Sequence, residues 1–183
     1  MKIKTLAKKF ITIAITLVVA ATFFFSPTTT AYANDPYLDK TVPHAGMTDK
    51  DIEYMNQHEL DWLTTQNKVF REAYQLEASF QSLIDRMVLR HGEAPELDIM
   101  LGTYDTSYLQ AQAVQTEAAK VIGAQSGFDA QGHVTNRAWA LQTVKTGREH
   151  LINARYQLRL AIRTLHKSYN TWHNWLINGV KYK

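Results

Sequence analysis

Residues 151–176 read LINARYQLRLAIRTLHKSYNTWHNWL, and within them Leu151, Ala154, Leu158, Ala161, Leu165, Tyr169, Trp172 and Leu176 recur at intervals of three and four. An α-helix places residues three and four apart on one face, whereas a strand alternates every second residue. This stretch is therefore one side of a long amphipathic helix, expected to run from a cap at Thr135 or Asn136 to about Asn178.

The same period appears twice more, working back along the chain. Ile52, Met55, Trp62, Val69, Ala73, Leu76, Phe80, Leu83 and Met87 form a stripe that ends near Arg90, before His91-Gly92. Gly92 suits the left-handed position that commonly terminates a helix. Thr48-Asp49-Lys50-Asp51 supplies a hydroxyl three residues ahead of a carboxylate, close to a capping box. Pro95, with Glu96 and Asp98, has the chemistry of a helix first turn. Leu97, Leu101, Tyr104, Tyr108, Ala111, Ala118 and Ile122 make the face of that second helix. The segment from Gly123 to Val134, with Gly127 and Gly132, is the one long loop. No segment reads as a strand.

Three long helices joined by one short turn and one longer loop predict an all-α, antiparallel up-down-up bundle. At 1.5 Å per residue the outer helices would be roughly 60 Å long and the middle one roughly 45 Å. One of the long helices must therefore overhang or break, with Thr64-Thr65 and Gly147 as the weakest helical points.

The chain before Thr48 is of a different kind. Lys2, Lys4, Lys8 and Lys9 precede an apolar run from Phe10 to Phe25, and Ala31-Tyr32-Ala33 follows. A basic start, a short apolar core and small residues before the cut define a secretory signal peptide, residues 1–33, cleaved near Ala33. The apolar run is about 16 residues and interrupted by threonines, short of the roughly 20 needed to span a bilayer. Residues 34–47, with Pro36, Pro43 and Gly46, are an extended lead-in, and residues 48–183 are the helical domain. The product is expected to be secreted, periplasmic or envelope-associated. It contains no cysteine, so its fold depends on its core without disulfides.

Charge is strongly polarised. Residues 34–132 hold seven basic and 16 acidic groups, whereas residues 133–183 hold nine basic groups and a single acid, Glu149. On the third helix Arg148, Arg155, Arg159, Arg163 and Lys167 fall within about 120° of one another, beside the apolar stripe. Such an edge either pairs with the acidic helices across the bundle seam or binds an anionic partner. Tyr169, Trp172, Trp175 and Tyr182 form an aromatic group near the end of the chain, suited to end-of-bundle packing or to anchoring a partner. Phe128, apolar within the long loop, is a further contact candidate.

Catalytic and cofactor signatures are missing from the pattern. His58-Glu59 opens like a zinc-protease helix motif, but Trp62 occupies the place of its second histidine. His166 and His173 are seven residues apart, about 10 Å along a helix, too far to share one ion. His91, Glu93 and His173 are the one set that the topology would gather at a bundle end. Ser126 lacks the glycine-flanked elbow of a hydrolase nucleophile.

No cofactor, no metal and no specific nucleic acid are expected. The reading is an exported, non-enzymatic bundle that binds an unknown protein partner. An electrostatic binder of anionic polymers or membrane headgroups is the first alternative, and a small-ligand or metal carrier the second. Mass spectrometry of the exported protein should show Asn34 as its first residue; retention of residues 1–33 would overturn the leader assignment.

Overall fold

The computed structural model describes residues 43, 44, 46–91 and 95–178, without the side chains of residues 87, 90, 91 and 171–178. The leader, most of the lead-in and the expected stop at Gly92 lie outside these residues. Three helices are described: Asp49–His91 (α1, 43 residues), Pro95–Gly123 (α2, 29 residues) and Arg137–Asn178 (α3, 42 residues). Among the described residues no strand forms, and Phe128 and Val134 make one isolated antiparallel bridge.

The helix ends follow from local chemistry. The Thr48 amide donates to Asp51 Oδ2 at 2.8 Å, and the Asp51 amide donates to Thr48 Oγ1 at 3.3 Å, a reciprocal cap with aspartate in the usual glutamate's place. The Thr48 hydroxyl, which donates to Asp51 Oδ2 at 2.6 Å, and the Thr48 amide hold the Asp51 carboxyl below the usual carboxylate range. Pro95 opens α2, and Asn136 caps α3 by accepting the Trp139 amide at 3.1 Å.

Cross-helix contacts give the topology. The Tyr108 hydroxyl donates to the Phe70 carbonyl and the Tyr104 hydroxyl to the Ala73 carbonyl, so α2 descends as α1 rises. Arg137 pairs with Asp49, Arg148 with Glu59, and Tyr169 lies edge-on to Phe80, so α1 and α3 run parallel. The core between them includes Ile52, Trp62, Phe70, Phe80, Leu97, Tyr104, Ile122, Leu151, Leu158 and Leu165, all buried.

Neither α1 nor α3 breaks. The Thr64 and Thr65 hydroxyls donate back to the Leu60 and Asp61 carbonyls, each at 3.0 Å, and stay helical. Gly147 is buried where α3 meets α2, because a Cβ there would stand 2.5 Å from Ile122 Cγ1. The length mismatch is met by overhang. Beyond the end of α2, Ile52 and Met55 of α1 pack on Ala140 and Val144 of α3, together with Met47 from the lead-in. Phe128 and Val134 fold in from the loop to close this cluster.

Hydrogen bonds hold the loop in that position. Glu53 Oε1 accepts the Val134 amide at 2.9 Å, and Asp129 Oδ1 accepts the Gln131 and His133 amides, both at 2.9 Å. The Thr143 hydroxyl donates to the Ser126 carbonyl at 2.8 Å. Gly127 has φ 91°, and a Cβ there would overlap the Ala140 backbone nitrogen. Alanine therefore meets both a disfavoured dihedral and a backbone wall. Gly127→Ala should lower unfolding free energy by about 1–3 kcal/mol, measured by chemical denaturation; an unchanged midpoint would show that the loop does not close the core as described.

Candidate functional site on the outward face of the third helix

The inner face of α3 is buried along its length: Leu151, Ala154, Leu158, Ala161, Leu165 and Tyr169 are each at most 4 % exposed. On its other side Ile152, Tyr156 and Leu160, spaced by four, are 51 %, 66 % and 54 % exposed. Isolated surface leucines are ordinary, but three large apolar side chains in one helical row are a patch. Four-residue spacing brings each within reach of the next.

The cationic side chains flank this row. Arg155 and Arg159 are half-buried, and Arg163 and Lys167 are exposed. Arg155, Arg163 and Lys167 also take part in interactions within the chain. Arg148, nearer the start of the helix, turns inward: Nη1 lies 3.4 Å from Oε1 of Glu59 on α1. The basic edge thus divides between a seam-facing part and an outward part.

Other sequence candidates fall elsewhere. Tyr169 is 4 % exposed and packs on Phe80, with ring centroids 6.0 Å apart, so it belongs to the core and not to a surface anchor. Trp172 and Trp175 lie in the last turns of α3, and their side chains are outside the described residues. Phe128 is half-buried against the Met47, Ile52, Met55, Ala140 and Val144 cluster, where it stands in for the missing end of α2. The set His91, Glu93 and His173 lies outside the described side chains. Among the described residues no three metal-ligating side chains come together.

A cavity of about 650 Å³ opens between the first turns of α1 and the loop. Its polar lining is turned inward on itself. Asn56 Nδ2 donates to Gln125 Oε1 at 2.7 Å, Gln125 Nε2 donates to the Ile122 carbonyl at 2.6 Å, and Glu53 is engaged by Val134 and His133. These groups fix the loop.

Polar side chains also occupy the core. Gln66, buried between the helices, donates to Gln115 Oε1 at 2.7 Å and to the Leu151 carbonyl at 3.0 Å, joining all three helices. Glu59 is 1 % exposed, and neither carboxyl oxygen has a hydrogen-bond donor among the described residues. Burial pushes its carboxyl up to about 7, with Arg148 pulling the other way. Glu77 and Asp105, on the α1–α2 face, are also raised by burial, Glu77 further by the charge of Asp105.

No protein-family model, no characterised protein and no solved structure matches this chain.

Because the folded pKa of Glu59 lies above its unfolded value of 4.5, its contribution is greatest below pH 4.5 and is lost as pH rises through about 7. That move corresponds to about 3 kcal/mol at 1.36 kcal/mol per decade. Glu59→Gln should flatten the decline in stability between pH 5 and pH 7; equal slopes for both proteins in urea titrations would refute the assignment.

Proposed function

We propose that this chain is an exported, non-enzymatic helical-bundle protein that acts at or outside the cell envelope by binding a protein through the outward face of α3. The single observation that carries the reading is the exposed row Ile152, Tyr156 and Leu160, bordered by Arg159 and Arg163. Burying apolar area drives association, while tyrosine and arginine are the side chains most often found at the energetic centre of interfaces. The basic leader and the alanines before Asn34 support the address, as they would deliver a cleaved chain to that compartment. No helix among the described residues is long and apolar enough to cross a membrane.

A second reading is favoured by the charge alone. Arg155, Arg159, Arg163 and Lys167 form a cationic edge that suits an anionic envelope polymer or lipid headgroups. An anionic polymer bound by charge gives no use to Ile152 and Leu160, which is why the protein partner is preferred to it.

Salt separates the two. Polyanion binding falls steeply between about 50 and 200 mM salt, whereas a desolvated apolar contact persists. The immobilised protein, exposed to native envelope and culture-fluid extracts, should retain a protein at 500 mM salt (about three times physiological) and lose it on Tyr156→Ala. Anionic material that elutes early and needs Arg155, Arg159 and Arg163, with nothing retained at high salt, would replace this reading by the second.

A further inference from the structure

The exposed row on α3 is symmetric about Tyr156. Ile152 and Leu160 stand four residues to either side of it, and Glu149 and Arg163, both exposed, stand seven residues to either side. The pattern is Glu149-x2-Ile152-x3-Tyr156-x3-Leu160-x2-Arg163: like residues at equal distances near the centre and opposite charges at the ends. Glu149 is moreover the one acid in residues 133–183, set among nine basic groups.

We infer that this face takes a second copy of the same chain, with two α3 helices crossing antiparallel about a two-fold axis at Tyr156. The inference rests on the reading of that face as a contact surface and names its occupant. A two-fold interface must be self-complementary, each patch meeting itself in reverse. Reversal about Tyr156 sets Tyr156 on its own counterpart, Ile152 on Leu160 and Glu149 on Arg163, each of the latter twice.

The two charged pairs lie about 10 Å along the axis on either side of the centre, where they flank the apolar contact. A parallel pairing would instead oppose Glu149 to Glu149 and Arg163 to Arg163. The next outward pair, Lys145 with Lys167, is like-charged, so the complementary stretch ends at Glu149 and Arg163.

Charge reversal tests this directly. Sedimentation equilibrium of the purified protein should show a monomer–dimer equilibrium. Glu149→Arg and Arg163→Glu should each weaken the dimer about tenfold, since each replaces two attractions by two repulsions. The double variant should regain it within about threefold, and so should an equimolar mixture of the two single variants, in which every pair is again opposite.

Recovery in the double variant and the mixture also shows that neither change unfolds the chain. A protein that stays monomeric at about 100 µM, a range in which weak specific contacts are populated, would overturn the inference. So would single variants that dimerise normally, or a double variant that does not recover. If the extract capture retains a different protein while the chain alone is monomeric, the self-pairing falls and the contact-surface reading stands. Dimerisation with no other protein captured leaves both standing, with the second copy as the occupant of the face.

Discussion

A helix of 29 residues cannot cover two parallel neighbours of 43 and 42, and the arrangement of this protein depends on how that shortfall is met. At 1.5 Å per residue α2 falls short by about 20 Å, roughly four turns. Ile52, Met55, Ala140 and Val144 would face water there were it not for Phe128 and Val134 from the loop and Met47 from the lead-in. A loop performs this role only if its backbone polar groups are satisfied. Glu53, Asp129 and Thr143 supply the partners, and Gly127 supplies the close approach to α3.

The polar groups inside the bundle have a related effect. An apolar seam alone tolerates sliding by a turn, whereas Gln66 bonded to both Gln115 and the Leu151 carbonyl fits one alignment. Glu59 with Arg148 adds a second lock between α1 and α3. Its location is costly, because a carboxyl held near pH 7 by burial is half-charged in a place that disfavours charge. Specific alignment is gained at some expense of stability.

Much of this was legible in the residues. The apolar periods marked all three helices to within a residue or two, and Thr48, Asp51, Pro95 and Asn136 announced their ends through side-chain chemistry that acts locally. Every apolar residue expected on the α2 face is buried. Glu59, Gln66 and Gln115 escaped because they are polar, yet each fills a seven-residue gap in its stripe, between Met55 and Trp62, Trp62 and Val69, and Ala111 and Ala118. The loop's role escaped for a different reason: it follows from the relative lengths of three packed helices, which is a tertiary fact. Ile152, Tyr156 and Leu160 were hidden by the stronger inner stripe, and became significant once the outward face of α3 was known to be uncovered.

The central claim is that α3 has two working faces, one closing the bundle and one meeting a second α3 in reverse. Intermolecular distances between spin labels test it most directly, and the absence of native cysteine makes labelling clean. Labels at Asn153 and Thr164, both exposed, lie three and eight residues from the proposed axis. Antiparallel crossing at Tyr156 places the Thr164 labels about 15 Å farther apart than the Asn153 labels. Equal distances at the two positions, or no intermolecular coupling at either, would contradict it.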